Sequence, residues 1–102
     1  MQTPDHFFYD IRNSSDRTVG HVWFACVGSG SARAGYVFWI EVAEEHRRQG
    51  HARAALVALE QIAADLSLSA IRLSVFAHNP NAEALYRSMG YQATAMSMRK
   101  PL

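Results

Sequence analysis

Cysteine and lysine are almost missing from this 102-residue chain: each occurs once, as Cys26 and Lys100. One cysteine excludes an internal disulfide framework and any cysteine-rich zinc site. A charge excess is missing too. Ten Lys and Arg face nine Asp and Glu, a net charge of +1, which leaves no electrostatic footprint for nucleic acid or an anionic membrane. No apolar run approaches the ~18 residues of a membrane span. Met1–His6 has no basic stretch followed by an apolar core, so it does not read as a secretion signal. The five histidines show no metal-ligand spacing, and no metal is expected. There is no internal repeat and no low-complexity tract. These absences leave a soluble, cytoplasmic protein as the expectation. With 49% hydrophobic and 19% charged residues, the chain has the composition of one small globular domain spanning 1–102.

What is present shows two periods. Phe7–Arg12, Val19–Val27 and Ala34–Val42 are rich in aromatic and β-branched residues and read as strands. Asn13-Ser14-Ser15-Asp16 and Gly28-Ser29-Gly30-Ser31 separate them with turn chemistry, which suggests an antiparallel meander. From Gly50 the period becomes 3.6. Ala52, Ala55, Leu56, Leu59, Ile62, Ala63 and Leu66 form one apolar helical face. Ala70–Ala77 reads as a strand parallel to the third. A second helix starts at Asn79-Pro80, with Asn as N-cap and Pro in the first turn, and Gly90 is placed to end it in the left-handed conformation. Tyr91–Met98 reads as a last strand. The predicted fold class is α/β (α+β), with a mixed, mostly antiparallel sheet in the order β-β-β-α-β-α-β. Alternation along the third strand puts Tyr36, Phe38, Ile40 and Val42 on one face, and Val37, Trp39 and Glu41 on the other. Both faces are then apolar and need cover.

Two segments carry the chemistry. Arg47-Arg48-Gln49-Gly50-His51-Ala52 joins a strand to a helix, where a glycine lets backbone approach a ligand and unpaired N–H groups favour a phosphate. It is neither a Walker P-loop nor a Rossmann fingerprint. The second segment runs from Val75 to Tyr91. A well-capped helix accounts for Asn79, Pro80, Leu85 and Gly90, but a core-facing Tyr86 needs a partner for its hydroxyl.

Taken together, Arg47-x-x-Gly50-x-Ala52 resembles the acetyl-CoA pyrophosphate motif of the GNAT superfamily of N-acetyltransferases. Asn79-x-x-Ala82-x-x-Leu85-Tyr86, followed by Met89-Gly90-Tyr91, resembles that family's second signature, and Met96–Lys100 its terminal strand. The resemblance implies that the N–H groups of Arg48, Gln49, Gly50, His51 and Ala52 hold the pyrophosphate of acetyl-CoA. Arg47 would support the loop or approach a phosphate. The pantetheine arm would pair with free backbone groups near Ile40 and Val42, where strands three and four splay, and an N–H near Ile40 would polarise the thioester carbonyl. Asn79 would bond the pantetheine, and Tyr86 would protonate the leaving thiolate. The resemblance implies direct attack by the amine, so Cys26 need not be a nucleophile and reads as a small buried apolar residue.

No residue matches a family general base. Glu41 points away from the expected acetyl face, and water or a partner chain remains open as the source. The family's initial strand and two helices precede the first strand seen here, so the chain resembles a short form, whether a natural minimal protein or a fragment. A homodimer or another partner is expected to cover Trp23, Phe38 and Trp39. The expected function is N-acetyl transfer from acetyl-CoA to an amine of a small molecule or peptide. The alternative is a non-catalytic acyl-CoA-binding or interaction module.

Overall fold

The computed structural model describes residues 6–75 and 80–102. Four strands form one sheet in the order β1-β2-β3-β4: β1 His6–Arg12, β2 Thr18–Val27, β3 Ala34–Val42 and β4 Ile71–Leu73. Helix α1, His51–Asp65, lies between β3 and β4, and α2, Pro80–Ser88, follows. β1, β2 and β3 form the expected antiparallel meander, and β4 runs parallel to β3. The first turn is tied by Asn13, whose side-chain oxygen accepts from the Ser15 and Arg17 amides at 2.9 and 3.0 Å. That side-chain bonding lets a short polar segment reverse the chain.

The helices share one face of the sheet. Val22, Phe24 and Val37 meet Leu56 and Leu59 of α1 in the core, and Leu85 and Tyr86 of α2, with Met89 just after it, pack against the same cluster. Beside it, Ile11, Val19 and Val42 pack with Ala52 and Ala55. Cys26 is buried and reduced, as expected of a small apolar residue. Gly35 makes the tight packing possible, because a Cβ there would run into the ring of the fully buried Phe24. We expect Gly35→Ala to lower stability by about 2 kcal/mol, read as a fall in the thermal midpoint.

The structure corrects three sequence expectations. The alternation along β3 is broken. Trp23 pairs with Trp39 while Phe24 pairs with Val37, so Phe38 is an extra, bulged residue. Beyond the bulge the faces swap. Val37, Ile40 and Val42 lie together on the helix side. On the opposite face Phe38 is in ring contact with both Tyr36 and Trp23. Second, Tyr91–Met98 forms no strand, and Met96 and Met98 are 82% and 87% exposed. The edge it would need is β4, which offers only three residues, too short a ladder to hold an eight-residue partner. Third, β4 is shorter than Ala70–Ala77. Ser74 and Val75 already lie outside the ladder, while Phe76 and Ala77 fall outside the described residues.

α2 ends where the sequence placed its stop. Gly90 has φ +94°, and the Gly90 and Tyr91 amides bond back to the carbonyls of Arg87 and Tyr86. Tyr91 then donates its hydroxyl to Glu60 of α1 at 3.3 Å. Burial and the Glu60 carboxylate push its phenol up to about 12. The folded-state value lies above the unfolded value of about 10, so this stabilisation is complete below pH ~10 and disappears as pH rises towards ~12. Tyr91→Phe should flatten the loss of stability over that window, which thermal melts across alkaline pH would read.

Candidate active site

The loop between β3 and α1 is built to leave its amides open. After a short 3-10 turn at Glu44–His46, Arg48 and Gly50 both adopt left-handed backbone, with φ +63° and +83°. Gly50 is the N-cap of α1. No side chain caps that end, and no acidic residue sits in the first turn. A Cβ at Gly50 would meet no atom within 4 Å. Glycine is therefore needed there for its backbone angle and not for packing. The first-turn amides and the positive end of the helix dipole face outward beside Arg47, Arg48, His51 and Arg53.

Arg47 is a latch. Its Nε donates to the Val42 carbonyl at 2.9 Å and fastens the loop to the end of β3. The bond occupies one lone pair of the Val42 oxygen. Gln49 and His51 bond each other through Oε1 and Nε2 at 3.2 Å, and the His46 ring lies edge-on to His51. At the other end of the first turns, Arg53 donates to Ser88 of α2 at 2.8 Å, tying the two helices together.

A fork opens beside this loop. β3 and β4 pair only at Gly35–Ile71, Tyr36–Arg72 and Val37–Leu73. β3 continues to Val42 with β2 on one side, and among the described residues its other edge has no strand partner. Ile40 and Val42 lie on that open stretch, which leads to Gly50. Tyr36 and Ser74 straddle the mouth of the fork, their hydroxyls 2.7 Å apart.

Tyr86 projects from α2 onto the core cluster, half-buried, edge-on to Tyr91. Burial raises its phenol above the ordinary value, so it keeps its proton at neutral pH. Its hydroxyl has no hydrogen bond among the described residues. The structure thus brings Arg47 to Ala52 together with the open stretch of β3 at one end of the sheet, with α2 packed beside them. Asn79 lies outside the described residues. Sequence reading missed the Arg47–Val42 latch, the Tyr36–Ser74 pair, and the contact of His21 with Asp10 at 3.1 Å across β1 and β2. Only the last left a trace in the sequence, since both residues occupy outward positions on neighbouring strands. Among the described residues no group of three or more His, Cys, Asp or Glu could hold a metal ion. Among the described residues no helix is long and apolar enough to cross a membrane.

The family model for the acetyltransferase (GNAT) family matches residues 1–91. The chain belongs to this family. It is 30% identical over its whole length to the uncharacterized N-acetyltransferase YycN of Bacillus subtilis, and 33% identical over 96% of its length to the uncharacterized N-acetyltransferase YdgE of the same organism. It spans 65% and 62% of those two proteins. The crystal structure of YycN superposes with a TM-score of 0.86 at 31% identity, covering 99% of this chain and 64% of that one. A Bacillus halodurans protein superposes at 0.88 with 19% identity, covering 96% and 67%, which speaks for the fold alone. The sheet, the crossover through α1 and the placement of α2 are therefore those of a GNAT domain. These relatives are longer than the chain.

Proposed function

We propose that this chain binds acetyl-CoA and transfers its acetyl group to a primary amine of a small molecule or peptide. The observation that carries the reading is the continuity of two openings. The uncapped, acid-free start of α1 and the unpaired edge of β3 are joined by the Arg47 latch. The first suits a diphosphate, whose oxygens accept from the amides of Arg48, Gln49, Gly50, His51 and Ala52. The second suits the amide-bearing pantetheine arm, which would lie along Ile40 and Val42 as a substitute strand. Asn79, by its place before α2, is assigned to the same arm.

The thioester carbon would then lie in the fork, its oxygen polarised by backbone N–H near Ile40. The amine attacks that carbon, the C–N bond forms, and the C–S bond breaks. The proton the amine loses replaces the one Tyr86 gives to the departing sulfur, so the products are the amide and free CoA thiol. A phenol held protonated by burial fits that donor role. The amine itself must arrive neutral. The proton it sheds beforehand passes to water or to a group of a partner chain.

Calorimetry with acetyl-CoA followed by thiol release over a panel of amines tests the reading. One acetyl-CoA bound per chain and thiol release with an amine are expected. No binding would overturn the site. Binding without release by any amine would leave a non-catalytic acyl-CoA-binding module.

A further inference from the structure

One polar contact bridges β3 and β4 where the two strands part. In their ladder Tyr36 stands opposite Arg72 and Val37 opposite Leu73, and Val37–Leu73 is the last pair. Side chains alternate along a strand, so Ser74, two residues past Arg72, is the diagonal neighbour of Tyr36 on the same face. Their hydroxyl oxygens are 2.7 Å apart, the usual length of an O–H···O bond. This face is the one opposite the helices, since Val37 points into the core with Leu56 and Leu59. The Tyr36 ring lies against Phe38 there, at 4.7 Å between centroids.

The pair has hydrogen-bonding capacity to spare. Two hydroxyls carry two protons and their mutual bond uses one, so one O–H and lone pairs on both oxygens stay available. Among the described residues neither hydroxyl has another hydrogen bond. Unlike a carboxylate, a hydroxyl pair adds no countercharge that would hold an amine as its unreactive ammonium. Tyr86 lies on the other side of the sheet, packed on the cluster of Val22, Phe24 and Val37. The fork thus has a proton donor on one face and an acceptor for N–H on the other.

We propose that Tyr36 and Ser74 seat the attacking amine by accepting one of its N–H groups. The inference rests on the acetyl-transfer reading of the fork. An amine held this way has its orientation fixed beside the thioester carbon, and its lone pair stays free to attack. The seat orients the nitrogen and takes no proton. It also separates amine classes. After acylation a primary amine still has an N–H to leave on the hydroxyl pair, while a secondary amine has none, so the seat selects primary amines.

Two thioethers of CoA test the seat without turnover: carboxamidomethyl-CoA, which ends in an amide NH2, and acetonyl-CoA, which ends in a methyl group at the same place. They match in size and differ in the N–H. Calorimetry on the full chain should show the first binding about fivefold tighter, the size of one hydrogen bond. Tyr36→Phe keeps the ring contact with Phe38 and removes the hydroxyl. It should bring the two affinities within about twofold of each other. Ser74→Ala, which frees the Tyr36 hydroxyl from its anchor, should do the same. Equal affinities in the wild type, or a preference that survives both substitutions, overturns the seat and leaves the cofactor site standing. If neither thioether binds, the acetyl-CoA reading falls and the seat falls with it.

Discussion

Tyr86→Phe should lower kcat by about 100-fold while leaving the acetyl-CoA dissociation constant within about twofold, the usual size of a lost general acid. The ring of Tyr86 packs on the Val22, Phe24 and Val37 cluster, and phenylalanine preserves that packing. The hydroxyl makes no hydrogen bond within the described residues, so its loss breaks nothing in the fold. What disappears is a proton donor held in its neutral form by burial. The pH profile gives a second reading. The phenol's folded-state value is raised, so it stays protonated through pH ~10, and the alkaline fall in kcat belongs above that point. The phenylalanine variant should lack that limb. Steady-state thiol release and calorimetry measure both quantities, and an unchanged kcat would remove Tyr86 from the acid role.

The elements decided by local pattern were legible in the sequence. β3 runs over Ala34–Val42, as its composition indicated, and α1 begins after Gly50, where the period changes. The turn chemistry at Asn13 and Gly90 is written in single residues whose preferences are intrinsic. What was not legible depends on partners. The bulge at Phe38 exists because Trp23 pairs with Trp39 and Phe24 with Val37, a register choice made between strands. It moves Ile40 and Val42 to the helix side together with Val37, which period-2 counting cannot foresee. Tyr91–Met98 alternates like a strand but forms none, because strand identity requires an edge and β4 gives three residues. The same short ladder creates the fork. The Gly50 loop could be read as a motif, yet its latch could not, since the Arg47 to Val42 bond is a matter of distance in the folded chain.

Gly50→Val should weaken acetyl-CoA binding by more than about 30-fold and lower the thermal midpoint by only a few degrees, as a backbone penalty of about 2 kcal/mol implies. Steric crowding is not the reason, because a side chain at Gly50 would point into open space. The reason is φ +83°, which a β-branched residue adopts only under strain. The loop would relieve that strain by leaving the left-handed region. Doing so rotates the peptide planes on either side and turns the Gly50 and His51 amides away from a common point. Helix α1 itself survives, since Leu56, Leu59 and Ala63 remain anchored in the core. Stability thus falls little while the diphosphate loses several donors at once. Gly50→Ala, whose strain in this region is nearer 1 kcal/mol, should fall between the wild type and valine. Arg47→Ala leaves Gly50 in place but releases the loop from the Val42 carbonyl. It should weaken binding by about tenfold through lost preorganisation. Calorimetry on the three variants gives the order Val, Ala at Gly50 and Ala at Arg47 against the wild type. Equal affinity in the valine variant would take the pyrophosphate away from this loop, whatever the turnover of the enzyme.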